Sequence, residues 1–175
     1  NLELLTEARP YIAEINTHLG LASYLGVLDG DQVVYADKIT APSASRLYSI
    51  KRTRVNAYCS SLGKCILANY SNSELENIMK DCSFIKFTPN TISDMEQLRT
   101  ELAKVRKQGW AMEDEEYETG QRCIGAPVYD YKGDIVAAIS ASGEKHVLTD
   151  DRINEVADYL VKKAFELSKA LGYVE

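Results

Sequence analysis

The sequence has no run of about 18 apolar residues, so no membrane-spanning helix is expected. No basic segment followed by an apolar stretch opens it, and no secretory signal is expected. It also lacks an excess of basic charge: 20 Lys and Arg stand against 26 Asp and Glu, a formal net charge of −6. A free-standing nucleic-acid binder carries the opposite balance. Any contact with DNA is therefore expected from another part of the protein. The one basic cluster, Lys51, Arg52 and Arg54, reads as a solvated loop or strand end before it reads as a phosphate patch. The cysteines Cys59, Cys65, Cys82 and Cys123 contain no C-x-x-C pair. His18 and His146 have no metal-ligand partner at helical spacing, so neither metal nor cofactor is expected. Free thiols in a chain too large to need disulfides suit a reducing cytoplasm.

Enzyme signatures are also missing. Ile139-Ser140-Ala141-Ser142-Gly143 lacks the first glycine of G-x-S-x-G. Gly63-Lys64 lacks the upstream glycine of a phosphate-binding loop. A nucleophilic Cys123 would need a histidine base, and nothing in the sequence places His18 or His146 beside it.

What is present is a chain of 175 residues, 45% hydrophobic and 26% charged, which suits one globular domain. Leu5, Ala8, Ile12, Ile15 and Leu19 share a helical face, and Pro10 predicts that this helix starts or kinks near Arg9. Leu21–Leu28 and Gln32–Ile39 read as a hairpin around Asp29-Gly30. Arg46–Ile50 reads as a further strand and Ser60–Tyr70 as a short helix. Ser71–Glu74 and Ser93–Glu96 both match the capping box that opens a helix. Trp110–Asp114, Arg122–Tyr129 and Asp134–Ser142 read as strands, and a long helix follows Thr149. Together these elements predict an α+β domain with a mainly antiparallel sheet flanked by helices.

The last hairpin permits a geometric expectation. With Lys132 and Gly133 at its turn, Cys123 faces Ser142 and Gly125 faces Ser140. Val136 and Ala138 would continue the same face. Two hydroxyls on a core-facing surface need partners. Either they bond to nearby backbone or they belong to a ligand pocket, and the pattern leaves both open. The helix start at Ser61-Leu62-Gly63 is either an anion-attracting terminus or an ordinary cap. The acidic run Glu113–Glu116 reads as solvated surface, with only its strand end positioned to turn inward.

Several stretches, in order and spanning nearly the whole chain, resemble the C-terminal effector-binding domain of IclR-family bacterial transcriptional regulators. They are Tyr58–Ala68, Phe87–Ile92, Gly109–Glu116, Gly120–Val128, Ala137–Gly143 and Leu171–Tyr173. The resemblance implies a GAF-like fold over residues 1–175 and a winged helix-turn-helix domain that is absent from this chain. It implies a homodimer or homotetramer that binds DNA through the missing domain. It also implies a pocket for a small organic acid, such as a 2-oxo acid, glyoxylate or a sugar acid. The family's pocket positions fall on Ser61, Leu62, Glu113, Cys123, Ser140 and Ser142. Two of them depart from the family pattern: Glu113 stands where the family has aspartate, and Ser61 where it has a smaller residue. An enzyme of similar fold using Cys123, and a dimerisation module without ligand, are the alternatives.

Overall fold

The computed structural model describes residues 1–41 and 53–175. The expected strand Arg46–Ile50, with Lys51 and Arg52, lies outside them. Arg54 pairs with Asp29 on the neighbouring turn.

Helix α1 spans Leu2–Leu19 and buries Leu4, Ala8, Ile12, Ile15 and Leu19. It begins well before Arg9, which overturns the first of the two readings of Pro10, a start there, and keeps the proline inside the helix. A proline inside a helix strips the carbonyl four residues earlier of its partner. Pro10 and Thr6 both lie on the exposed face, where water replaces that bond. Gly20 stops the helix in a left-handed conformation.

Strands β1 (Ala22–Asp29) and β2 (Gln32–Ile39) form the first hairpin, and β3 (Arg54–Asn56) pairs with β2. A single 3-10 turn, Ala57–Cys59, leads into α2 (Ser61–Leu67), capped by Ser60. Next come α3 (Asn72–Met79) and α4 (Met95–Gln108). The Ser71–Glu74 box forms with both of its reciprocal bonds. The second box is shifted by one residue: Asp94 is the cap and accepts from Gln97 N–H, while the Gln97 side chain accepts from Ser93 N–H. A carboxylate there also gains from the positive end of the helix dipole. Strands β4 (Ala111–Asp114), β5 (Gln121–Tyr129) and β6 (Ile135–Glu144) complete the sheet. A 3-10 turn after Thr149 leads into α5 (Ile153–Ala170).

Among the described residues the six strands form one antiparallel sheet in the order β3-β2-β1-β6-β5-β4. Strand residues alternate between its faces. Leu25, Ile124, Ala126, Val128, Ile139 and Ala141 pack under α1 and α5. The opposite face, including Val33, Ala111 and Ala138, packs under α2 and α4.

The β5–β6 register is the expected one, but by a different route. The turn holds three residues, Tyr131–Gly133, because Asp130 and Asp134 are bonded across it. That loop alone would displace the register by one. A bulge restores it: Tyr129 pairs with Ile135 and Val128 with Ala137, which leaves Val136 extra. The bulge also turns Val136 into the α1/α5 layer, so it does not continue the face of Ala138.

Small residues let α2 lie close to the sheet. A Cβ on Gly63 would stand 2.3–2.7 Å from backbone atoms of Ala57, and one on Gly125 would stand 3.1 Å from Ser61. Because the obstacle at Gly63 is backbone, it has little room to yield. Gly63→Ala is expected to cost about 3 kcal/mol, the upper end of usual overpacking penalties, measured by urea unfolding. An unchanged midpoint would mean that α2 stands farther from the Ala57 turn.

Candidate functional site

Antiparallel pairing sets the residues beneath the start of α2 in two rows across four strands. One row is Tyr24, Ser140, Gly125 and Ala111; the next is Ala22, Ser142, Cys123 and Glu113. Over them lies the first turn of α2. Together they form a cleft of about 600 Å³, counted to its open mouth, which Tyr35, Val55, Glu118 and Gln121 also line. All six residues expected at a pocket, Ser61, Leu62, Glu113, Cys123, Ser140 and Ser142, line it.

Ser60 caps α2 by accepting from Gly63 N–H at 3.4 Å. The first intrahelical bond is Lys64 N–H to Ser60 carbonyl. The N–H groups of Ser61 and Leu62 therefore have no partner within the helix. The Ser61 hydroxyl donates to the Cys123 sulfur at 2.8 Å. Cys123 shows part of its surface to the cleft, yet its thiol lies deep enough that desolvation pushes it up to about 11, against the hydroxyls around it. It stays protonated at neutral pH. His18 stacks on Tyr159 and His146 lies beside Glu144, so neither serves it as a base. The Ser140 side chain is fully buried. Its hydroxyl approaches the Cys123 sulfur closely enough to affect its titration but makes no hydrogen bond of good geometry.

Glu113, the strand end of the acidic run, turns inward and is 8% exposed. Burial raises its carboxyl to about 8, although the bond from Glu116 N–H to its Oε2 opposes the shift. At neutral pH it holds a proton, so it is a hydrogen-bond donor in the cleft. Glu116 is the second inward residue of the run, a role the sequence pattern did not indicate. Its carboxylate binds Lys64 at 2.8 Å, and Lys64 Nζ also donates to the Met112 carbonyl at 2.9 Å. Lys64 is 1% exposed. The sequence did carry a signal for it: a lone lysine in the apolar helix Ser61–Leu67, all of which is buried. The loop after β4 is fixed from outside by Thr88 and Thr91, whose hydroxyls donate to the carbonyls of Glu115 and Glu116.

Among the described residues Arg122 is the arginine that lines the cleft, but its guanidinium is committed to Asp114, Asp150 and the Leu148 carbonyl. Glu118 and Gln121 were not expected at the site: Glu118 comes from a loop, and β5 begins one residue before the expected start at Arg122, at Gln121. Among the described residues no cluster of His, Cys, Asp and Glu is suited to a metal ion, and no helix is long and apolar enough to cross a membrane.

The family model described as bacterial transcriptional regulator IclR C-terminal matches residues 1–169. The HTH-type transcriptional regulator XynR of Escherichia coli K12 is 31% identical over 173 residues, which cover 99% of this chain and 69% of that protein. The HTH-type transcriptional regulator BhcR of Paracoccus denitrificans is 31% identical over 165 residues, covering 94% of this chain and 59% of that protein. The chain thus spans only part of the length of these relatives. The crystal structure of the C-terminal domain of E. coli KdgR superposes with a TM-score of 0.88 at 31% identity, covering 98% of this chain and 99% of that one. The Thermotoga maritima IclR structure gives 0.89 at 35% identity, covering 97% of this chain and 69% of that one. With its family model extending over nearly all its residues, and its layered fold repeated in both solved relatives, this chain belongs to the IclR C-terminal family of bacterial transcriptional regulators.

Proposed function

We propose that the chain is the ligand-sensing domain of a transcriptional regulator and that the cleft between α2 and the sheet receives a small organic acid. The observation that carries this reading is Ser140. A fully buried hydroxyl without a hydrogen bond is costly, and this one lies in the floor of an open cleft beside Ser142, Cys123 and the unpaired N–H groups of α2. A bound carboxylate supplies acceptors of good geometry for Ser140 and for the N–H groups at the start of α2.

In this mechanism the carboxylate accepts from the N–H groups of Ser61 and Leu62 and from the hydroxyls of Ser140 and Ser142. Cys123 packs against the ligand as a protonated thiol. With the guanidinium of Arg122 engaged elsewhere, protonated Glu113 serves as a donor from the cleft wall. Its Oε2 accepts from Glu116 N–H, which leaves Oε1 to carry the proton toward the ligand. The effector class is a 2-oxo acid, glyoxylate-like acid or sugar acid. The relatives are named HTH-type regulators and are longer than this chain. That supports a winged helix-turn-helix domain elsewhere in the full-length cytoplasmic protein, acting as a homodimer or homotetramer on DNA. Ligand then acts by its unequal affinity for two arrangements of the assembly. The raised thiol of Cys123 and its lack of a histidine favour this reading over thiol catalysis. The open cleft favours it over a silent dimerisation module.

A thermal-shift screen with small carboxylic acids tests the reading. A ligand at 100 times its Kd stabilises by about 2.7 kcal/mol, and the shift is expected to vanish in the Ser140→Ala/Ser142→Ala double variant while the ligand-free melting temperature holds. A shift of equal size in the variant would sink the assignment.

Proton linkage gives a second test. Below about pH 8 Glu113 is neutral and donates; above it, the ionised group faces a ligand carboxylate. Affinity for an acid hit is expected to fall by up to about tenfold per pH unit above pH 8. Titration calorimetry of Glu113→Gln should show a flat profile, and an unchanged pH dependence in that variant would remove Glu113 from the contact.

A further inference from the structure

Glu118 stands at the other end of the cleft from the hydroxyl cluster. Along β5 the cleft-facing positions Gly125, Cys123 and Gln121 follow at two-residue steps, about 7 Å each. Ser61 lies over Gly125 at one end. At the other, Gln121 N–H bonds the Glu118 carbonyl and closes the turn that carries Glu118 into the cleft wall. The Glu118 Oε2 atom is buried and has no hydrogen-bond partner among the described residues. Among the described residues, the Lys and Arg side chains that line a cleft with it are engaged elsewhere: Arg122 with Asp114 and Asp150, and Lys145 with Glu115. The turn is held in place as well. Gly120 N–H donates to the Glu115 carboxylate, and Lys145 N–H donates to the Gly120 carbonyl.

A buried carboxyl oxygen with unused lone pairs calls for a donor. We infer that Glu118 reads the far end of the effector, which therefore carries a hydroxyl or ammonium group several atoms from its carboxylate. The inference rests on the ligand-sensing reading and narrows it. A simple 2-oxo acid offers only acceptors and leaves Glu118 unsatisfied, and glyoxylate is too short to span the distance. Hydroxylated or amino-bearing acids satisfy both ends. The chemistry at Glu118 is the same for either donor, and the choice of probes separates them.

The test is titration calorimetry of the chain and of Glu118→Met, which keeps the bulk but removes the acceptor. The probes are four- and six-carbon acids: threonate and gluconate for hydroxyls, 4-aminobutanoate and 6-aminohexanoate for ammonium, and butanoate, hexanoate and 2-oxobutanoate without a distal donor. One donor-bearing series is expected to bind at least about tenfold tighter than its plain counterparts, the scale of a hydrogen bond to a charged group. Which series it is identifies the donor. Glu118→Met is expected to erase that preference without lowering the ligand-free melting temperature. Equal binding of donor-bearing and plain acids by the unmodified chain overturns the role of Glu118 alone. So does a preference that survives in the variant. A ligand-free variant that melts several degrees lower shows Glu118 to be a structural partner and also overturns it. Failure of every acid to bind the unmodified chain overturns the ligand-sensing reading, and this inference with it.

Discussion

Helix α2 reaches the sheet at van der Waals distance because Gly63 rests on the backbone of Ala57 and Gly125 lies beneath Ser61. Side chains at either glycine would lift the helix by about the width of a methyl group. The Ser61 hydroxyl would then leave the Cys123 sulfur, and the N–H groups at the helix start would no longer converge with Ser140 and Ser142. The floor is correspondingly small: Gly26, Ala138, Gly125 and Ala111 occupy the cleft-side positions beside the hydroxyls. The cleft exists because that close approach ends at the first turn of α2, where the sheet continues and the helix does not.

Charge buried behind the helix completes the arrangement. Lys64 passes from α2 to the loop after β4 and binds Glu116 and the Met112 carbonyl. A buried ion pair of this kind survives desolvation only with good geometry and further hydrogen bonds. Here Asp114 N–H also donates to the Glu116 carboxylate. Glu116 N–H in turn donates to Glu113, so the position of the cleft's protonated carboxyl is set by a lysine on its far side. Helix, loop and cleft wall are thus held by one chain of polar contacts. Thr88 and Thr91 hold the loop from the outer side.

Much of this could be read in the sequence, for reasons that differ by element. The facing of Cys123 with Ser142 and of Gly125 with Ser140 follows from the two-residue period of a strand once a turn is located. The expected turn was one residue too short, and the bulge at Val136 cancelled the error. The start of α1 was misplaced because proline's cost depends on which face of a helix it occupies, and that is a tertiary fact. The second capping box slipped by one residue because Ser93 and Asp94 are both competent caps and the pattern does not rank them. Glu113 was legible as a position through the family resemblance, but its inward direction and raised protonation depend on burial. Lys64 and Glu118 escaped notice because their roles come from contacts between distant segments, although a lone lysine in an apolar helix was a signal for the first. Gln121 lies in the period of Cys123 and Gly125 but was missed because the strand was expected to begin at Arg122.

The alternation of the strands has a consequence for how such a domain diversifies. On β6, residues 138, 140 and 142 face the cleft, while Ile139 and Ala141 between them are fully buried under α1 and α5. On β5, residues 121, 123 and 125 face the cleft, and Ile124 and Ala126 between them belong to the opposite layer. Recognition and folding are thus written in interleaved letters of the same strands. Every second position can be respelled to suit a new ligand while its neighbours keep the hydrophobic text unchanged. An insertion of a single residue between Ala138 and Ser140 that no bulge absorbed would exchange the two scripts and lose both.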